Sequence, residues 1–355
     1  MNLDLLTPLL LNSFLGYGEV VNGQPTWIQR ELHTVTNLVR VDPRGWSSEY
    51  DCSLSSFSFT ERVPKSTLYF HEGLARIAQL HSEDQSRWEN MSHYSSDGTD
   101  FSTRTWPYYD GTTIGENVAW NYDDSWEVML QGWMCSDGHR ENIMSSDFEH
   151  LGTGESNRYY TQDFGGGAEV PETPVAMAAH TPEIPGSTVE FWTTWDNDTP
   201  PSTLDVETQD SCDAMEQVVG TDTLGGWHVE TDTQNGCVAY RIRWAKEDGT
   251  IGFLPESGAW QYGENCELWV QEAPEGCSAP VDTGTPSTDC PEQDFEDQNG
   301  DCLPDEDIEE DLSLGKRFGC ASTPAPTTAF WCIALSAVLM TRRQKPYSTR
   351  TNSWE

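Results

Sequence analysis

Apolar positions recur at helical spacing in three segments of the N-terminal half of the chain, and each segment predicts an amphipathic helix. The first segment covers residues 27–41 and stops before Pro43, because proline cannot continue a helix. The other two cover residues 66–86 and 125–135. Polar and apolar residues alternate over residues 159–164, which predicts a strand and therefore a mixed α+β class for this half.

The pattern changes beyond residue 175, where short runs of β-branched and aromatic residues stand between turn residues. The runs cover residues 187–195, 236–244 and 266–270. This spacing is typical of an all-β sandwich, and we predict an Ig-like sandwich over residues 175–272. Cys212, Cys237 and Cys266 fall inside it and predict one disulfide, whose pairing the sequence leaves open.

Both ends of the chain differ from these two predicted domains. Residues 1–24 are apolar but have no Lys or Arg ahead of the apolar part, which indicates an atypical export signal or an N-terminal extension. Residues 273–323 are rich in Pro, Asp, Glu, Ser and Thr, and they predict an acidic linker. Residues 324–345 join an uncharged apolar run to a basic cluster and predict a transmembrane helix, with a buried core helix as the alternative. Residues 346–355 form a short tail.

The linker contains a candidate calcium loop. Asp297, Asn299, Asp301 and Asp305 place oxygen ligands at spacings that match the first part of such a loop. The stretch resembles the calcium-binding repeats of thrombospondin type 3 stalks, although Cys302 stands where those repeats usually have a glycine. We therefore predict a Ca²⁺ site here, with a solvated acidic linker as the alternative.

The net charge of the chain restricts its possible binding partners, and its cysteines indicate its cellular compartment. The chain of 355 residues has a formal net charge of −40, which excludes nucleic acid as a partner and disfavours anionic lipid headgroups. Its 10 cysteines include no Cys-x-x-Cys pair, so a zinc ribbon or redox motif is absent. Scattered cysteines beside few lysines and many Trp, Thr and Gly residues predict an exported, disulfide-bonded protein rather than a cytosolic one with reduced thiols.

Two histidines and one glutamate of the N-terminal half have the surroundings of a cleft site. His93, Glu116 and His139 are each flanked by small or turn residues. Two imidazoles with room for water make an open site for Zn²⁺ or a similar divalent ion. The common zinc-protease and serine-hydrolase motifs are absent, so a purely structural role for the histidines stays open.

The order of several short motifs adds a resemblance to these candidates. The motifs are Asn37-x-x-Arg40, Ser92-His93, Gly115-Glu116-Asn117, Trp133-x5-His139-Arg140-x-Asn142 and Gly152-x-Gly154. Over residues 25–168 this order resembles the CAP superfamily of cysteine-rich secretory, antigen 5 and pathogenesis-related proteins, and its bacterial branch in particular. The resemblance implies a three-layer α-β-α sandwich with a central cleft.

Within that cleft the resemblance implies that His93 and His139 bind a divalent metal and that Glu116 supplies the acid. Many eukaryotic members have a second acid where this chain has Cys135-Ser136, and Glu141 is the candidate substitute. Asn117 and Asn142 are expected to support the local backbone. Cys135 is expected to be structural, with Cys52 as an available disulfide partner, because a nucleophilic cysteine needs a depressed pKa and a base.

The C-terminal segment carries a second resemblance. Gly319-Cys320 precedes the apolar run and the basic cluster, an arrangement that resembles bacterial sorting tails of the MYXO-CTERM type. The resemblance implies recognition by a sorting protease and cleavage near Cys320. The protein is then expected at the cell surface, in the outer membrane or secreted after processing.

Three functions remain open at this point. The first is a surface-displayed or secreted binding module whose cleft holds a divalent ion and an envelope or extracellular ligand (a lipid, glycan or protein), with the β-sandwich and linker as spacers. The second is a metal-dependent peptidase, in which His93 and His139 hold the ion and Glu116 is the general base. In the third, the cleft residues only stabilise the fold. The missing second acid favours binding without catalysis.

Overall fold

The computed structural model describes residues 25–183, 186–208, 211–232 and 238–262, together with the backbone of two short strands further along the chain. The chain divides into two units, residues 1–283 and 284–355. In the second unit the described strands, Phe295–Glu296 and Cys302–Leu303, form one antiparallel pair. The described part of the first unit contains an N-terminal domain (residues 25–168) and a β-domain (residues 175–262).

The N-terminal domain consists of five α-helices and one four-stranded sheet. The helices are α1 (Trp27–Val41), α2 (Glu72–Trp88), α3 (Phe101–Thr105), α4 (Ser125–Glu127) and α5 (Asp137–Ile143), and α4 continues as a π-helix over Val128–Trp133. The strands are β1 (Tyr69–Phe70), β2 (Thr113–Trp120), β3 (His150–Ser156) and β4 (Tyr159–Gly166). Their order is β1-β3-β4-β2, with β1 parallel to β3 and the other pairs antiparallel.

The sheet lies between α1 and α2, which makes three layers. Thr161 and Gln162 are neighbours on β4, and successive strand residues point to opposite faces of a sheet. The hydroxyl of Thr161 accepts a hydrogen bond from Ser82 of α2 at 2.9 Å, whereas Gln162 donates to Thr36 of α1 at 2.8 Å. Glu116 of β2 pairs with Asp163 of β4, so its side chain lies on the α2 face.

The predicted bounds of α1 are confirmed, while α2 begins six residues later than predicted. Thr26 and Gln29 form a capping box that starts α1. Residues 66–71 stay extended because the side-chain amide of Asn37 bonds both backbone groups of Leu68, at 2.8 and 2.9 Å. Tyr69 and Phe70 then pair with β3.

The β-domain has nine strands in its described residues, and they form two antiparallel sheets. The strands are β5 (Ala178–Thr181), β6 (Thr188–Asp196), β7 (Thr203–Thr208), β8 (Cys212–Ala214), β9 (Glu216–Gly220), β10 (Leu224–Asp232), β11 (Val238–Ala245), β12 (Ile251–Leu254) and β13 (Trp260–Tyr262). One sheet has the order β5-β6-β10-β9, and the other has β12-β11-β7-β8 with β13 on β11. Phe191 and Trp195 of the first sheet share a core with Val206 and Tyr240 of the second. Whether the domain is of Ig-like type stays a prediction.

Cysteine pairing is partly settled by the described residues. Cys52 and Cys135 form a disulfide with their Cα atoms 5.5 Å apart, which confirms that prediction and excludes Cys135 as a free nucleophile. Cys212 is disulfide-bonded as well. Cys237 and Cys266 lie outside the described residues.

Replacing both Cys52 and Cys135 by serine is expected to lower the free energy of unfolding by about 3 kcal/mol. The two residues are 83 positions apart, and a crosslink across a long loop restricts the unfolded chain strongly. Urea denaturation of the full chain measures the change, with Ser136→Ala as a control because the Ser136 side chain makes no cap hydrogen bond. A loss below about 1 kcal/mol would contradict this expectation.

The β-domain packs directly against α1. The indole of Trp192 lies 6.1 Å from that of Trp46 and 5.2 Å from that of Trp126, between ring centroids. The carboxylate of Asp196 accepts a 2.8 Å hydrogen bond from the backbone of Thr67. The β-domain therefore shares an interface with the N-terminal domain, and its role as a spacer stays a prediction.

No helix of the described ranges is long and apolar enough to cross a membrane. The predicted transmembrane segment (residues 324–345), the sorting tail at Cys320 and residues 1–24 lie outside the described residues. The same holds for the side chains of the predicted calcium ligands, residues 297–305.

Candidate functional site

Glu116 is the centre of the candidate cleft. Its side chain is only 1% exposed, and its two oxygens have different partners. His93 Nδ1 lies 2.8 Å from Oε1, and Arg104 Nη2 donates to Oε2. The imidazole of His81 stands behind them, with Nε2 3.8 Å from Oε2 and 2.7 Å from the carbonyl oxygen of Ser92. The sequence prediction that His93 and Glu116 meet is therefore matched by a direct contact.

His93 is held in place but remains accessible. The chain leaves α2 through Glu89 in the left-handed conformation, and Gln85 then accepts a 3.0 Å hydrogen bond from the backbone of Ser92. The His93 side chain is 53% exposed. Its hydrogen bond to Glu116 raises the pKa of the imidazole, although partial burial opposes the shift. With Nδ1 bonded to the carboxylate, Nε2 is the ring nitrogen that is left for a ligand.

Arg104 is a member of the site that the sequence motifs did not identify. It lies on α3, whose first turn is capped by Asp100. Besides Glu116, its guanidinium bonds the carbonyl oxygen of His93 at 3.4 Å and the hydroxyl of Ser95 at 3.2 Å. One cation therefore neutralises the buried carboxylate and fixes the segment that carries His93.

His139 lies on α5, which two asparagines tie to β2. Asn117 donates to the carbonyl oxygen of His139 at 3.1 Å, and Asn142 donates to the carbonyl oxygen of Glu116 at 3.1 Å. Asn142 also donates to the side chain of Asn117 at 2.9 Å. These contacts give both asparagines the supporting position that was expected of them.

The environment of His139 keeps its imidazole neutral. Burial lowers the pKa of the ring, and the charge of His93 lowers it further. The effect of His93 on this pKa requires the two imidazoles to lie within electrostatic range of each other. A neutral imidazole is the form that binds a metal ion.

Asp163 lies beneath Glu116 and was not identified from the sequence. It occupies the directly opposite position on β4 and is fully buried. Burial, followed by the charge of Glu116, raises the pKa of the Asp163 carboxyl well above its usual range. Two carboxyl groups on directly opposite residues in a buried site disfavour the ionised form of Asp163.

Glu141, the candidate substitute for the second acid, is exposed on α5. No hydrogen bond within the described part of the chain joins it to the cleft. Groups of three or more His, Cys, Asp or Glu side chains arranged to hold a metal ion are also absent from the described residues. A metal in this cleft would therefore depend on the two imidazoles of His93 and His139, with water or the ligand supplying the other donors.

Comparison with known proteins supports the CAP resemblance for this part of the chain. Residues 35–165 match the family described as "CAP: Cysteine-rich secretory protein family". The uncharacterized membrane protein YlbC of Bacillus subtilis is 37% identical over 98 residues, which are 27% of this chain and 28% of that protein. The uncharacterized protein YkwD of the same organism is 34% identical over 100 residues, 27% of this chain and 38% of that protein. The matches thus span less than two fifths of either relative.

Three solved structures are similar to part of the chain. An extracellular protein containing an SCP domain from Bacillus anthracis is 24% identical, with 39% of this chain and 40% of that chain covered and a TM-score of 0.31. A cysteine-rich secretory protein from Staphylococcus aureus is 19% identical, with 40% of each chain covered and a TM-score of 0.29. An outer surface protein from Borrelia burgdorferi is 17% identical, with 29% of this chain and 80% of that chain covered and a TM-score of 0.27.

Proposed function

We propose that the N-terminal domain is an extracellular binding domain of the CAP type, whose cleft holds a divalent ion through His93 and His139 and captures a ligand without catalysis. One observation carries this proposal: His93 Nδ1 lies 2.8 Å from a carboxylate oxygen of Glu116. Histidines that bind metals usually donate their other ring N–H to such a partner, which fixes the tautomer and aims the free nitrogen.

The contacts of Glu116 favour binding over hydrolysis. A general base in a metallopeptidase must reach the water that the ion activates. Here both oxygens of Glu116 are engaged, one by His93 and the other by Arg104, and the carboxylate is buried. Its role is therefore to orient His93. A bound divalent ion would offer its open coordination positions to oxygen atoms of the ligand.

Metal binding is tested by calorimetric titration of the full chain with Zn²⁺ at pH 7.5. We expect His93→Ala and His139→Ala each to weaken binding about 10-fold or more, because each removes one of two imidazole ligands. Glu116→Gln is expected to weaken binding about 10-fold through the loss of the carboxylate that orients His93. His228→Ala is the matched control, since His228 is a partly exposed histidine of the β-domain.

The pH dependence and a peptidase assay complete this test. Glu116 raises the pKa of His93, so protons compete with the ion, and the affinity is expected to fall as the pH is lowered. If His93→Ala and His139→Ala both bind Zn²⁺ as tightly as the wild type, the proposed metal site in the cleft is wrong. If the wild type cleaves a peptide library and Glu116→Gln does not, the domain is a peptidase and not a pure binding domain.

Export is part of the same proposal. The Cys52–Cys135 disulfide supports it, because structural disulfides persist in oxidising compartments. Membrane anchoring by residues 324–345, processing near Cys320 and calcium binding at residues 297–305 remain predictions from the sequence.

A further inference from the structure

Arg140 is a buried arginine that stands next to His139 on α5. Its side chain is only 2% exposed. The central carbon of the guanidinium lies 4.3 Å from the ring centroid of Phe57, and Nη2 donates to the carboxylate of Asp137 at 2.6 Å. Nε is 3.0 Å from Oε1 of Glu61. A buried cation with partners on several sides has a fixed position, in contrast to a solvated surface charge.

A single loop supplies most of the environment of Arg140. Residues 53–62, called the Arg140 loop below, contain the phenyl ring and the glutamate that the guanidinium contacts. The loop also offers the carbonyl oxygen of Ser56, which accepts a hydrogen bond from Nη2 at 3.5 Å. Glu61 is itself held, because its Oε2 accepts a 2.5 Å hydrogen bond from the backbone of Ser58. The ion pair therefore joins α5 to a loop whose acceptors are already in place.

The position of α5 depends on contacts with the rest of the chain. The helix has seven residues, and a helix of this length is not stable alone in water. Asn117 and Asn142 fasten it to β2. The disulfide joins Cys135, two residues before the helix, to Cys52, directly before the Arg140 loop. Arg140 links the helix itself to that loop.

His139 and Arg140 leave α5 in different directions, because successive residues of an α-helix are about 100° apart. Arg140 is buried against its loop, whereas His139 is half-buried and lies within electrostatic range of His93. Both side chains belong to the same two turns of helix, so a rotation of α5 that moves one of them also moves the other. Contacts that fix Arg140 therefore fix the direction of the His139 ring.

We infer that Arg140 is the positioning residue of His139, and that its ion pair with Glu61 sets the rotation of α5. This inference rests on the proposed function, because it takes His139 as a metal ligand. Arg140 touches neither the ion nor the ligand and acts through the helix. A guanidinium suits this role, since its planar fork bonds several acceptors at once in a fixed geometry, which an ammonium group does not do.

The test is calorimetric titration of full-chain variants with Zn²⁺ at pH 7.5. Arg140→Met removes the charge and the donors, and it is expected to raise the Kd about 10-fold, as is usual when a residue that orients a metal ligand is lost. Arg140→Lys keeps the charge without the fork and is expected to raise the Kd only about 3-fold. Arg158→Met is the matched control, because Arg158 forms a surface ion pair with Asp123 and is expected to leave the Kd unchanged.

A double variant separates positioning from a general loss of stability. If Arg140 acts through His139, then His139→Ala weakens Zn²⁺ binding in the wild type but raises the Kd by less than about 2-fold in the Arg140→Met background. A merely structural role lowers the melting temperature and leaves the two effects on the Kd additive. Glu61→Gln provides the same comparison with the arginine retained, and it is expected to raise the Kd about 3-fold.

Two outcomes overturn the assignment of Arg140 alone. The first is wild-type Zn²⁺ affinity in both Arg140→Met and Glu61→Gln, and the second is full additivity in the double variant. Failure of the proposed function has a different signature: His139→Ala then leaves Zn²⁺ binding unchanged in the otherwise wild-type chain, and the inference about Arg140 falls with it.

Discussion

Replacing Trp192 by alanine is expected to lower the free energy of unfolding by about 4 kcal/mol, the usual size for removal of a buried tryptophan. Trp192 belongs to the β-domain, but its indole packs against Trp46 and Trp126 of the N-terminal domain and is almost fully buried. Its loss leaves a cavity between the two domains. Because that cavity borders both cores, we expect both domains to unfold in one transition that moves to lower temperature.

Differential scanning calorimetry of the full chain measures this effect, with urea denaturation for the free energy. The matched control is Trp88→Ala, which removes an exposed tryptophan and is expected to change stability by less than about 0.5 kcal/mol. Two separate transitions, of which only one responds to Trp192→Ala, would show that the domains are energetically independent.

Lowering the pH towards 4 is expected to destabilise the protein through two buried histidines. Burial lowers the pKa of His33 to about 4, and burial, followed by the charge of Arg30, lowers that of His180 to about 3. The unfolded imidazoles titrate near 6.5, so below that pH the unfolded state binds more protons than the folded state. The free energy of unfolding therefore has its full value above about pH 6.5. As the pH falls to about 4, protonation of each histidine in the unfolded state lowers that free energy by on the order of 3 kcal/mol.

Urea denaturation between pH 4 and pH 8 measures this loss. His180 bonds the hydroxyl of Tyr240 at 2.9 Å, and glutamine keeps a polar partner there without taking up a proton. His180→Gln is accordingly expected to flatten the acid side of the stability profile. An unaltered slope in His180→Gln would contradict the assignment.

The sequence predicted the bounds of a helix correctly where contacts close along the chain determine them, and incorrectly where a distant strand does. The bounds of α1 followed from its apolar spacing and from the capping residue and proline at its ends. The start of α2 was misplaced because pairing of β1 with β3, a contact far apart in sequence, overrides the helical pattern of residues 66–71.

The residues of the candidate site also fall into two groups: those that local motifs identified and those that only the three-dimensional structure shows. His93, Glu116 and His139 were identified because each stands in a motif that resembles a known family. Arg104 lies in no motif, and its role depends on the path of the segment between α2 and β2. Asp163 sits in a strand that was predicted, but only the register between β2 and β4 shows that it faces Glu116.

The packing of the β-domain on α1 determines which side of the cleft stays open. Glu116 and His93 lie on the α2 face of the central sheet, whereas the β-domain packs against α1, on the opposite face. A ligand that binds at His93 would therefore approach from the face of the sheet opposite to the packed β-domain. Entry requires no hinge motion between the domains, so association is expected to proceed by simple encounter rather than by a slow conformational step.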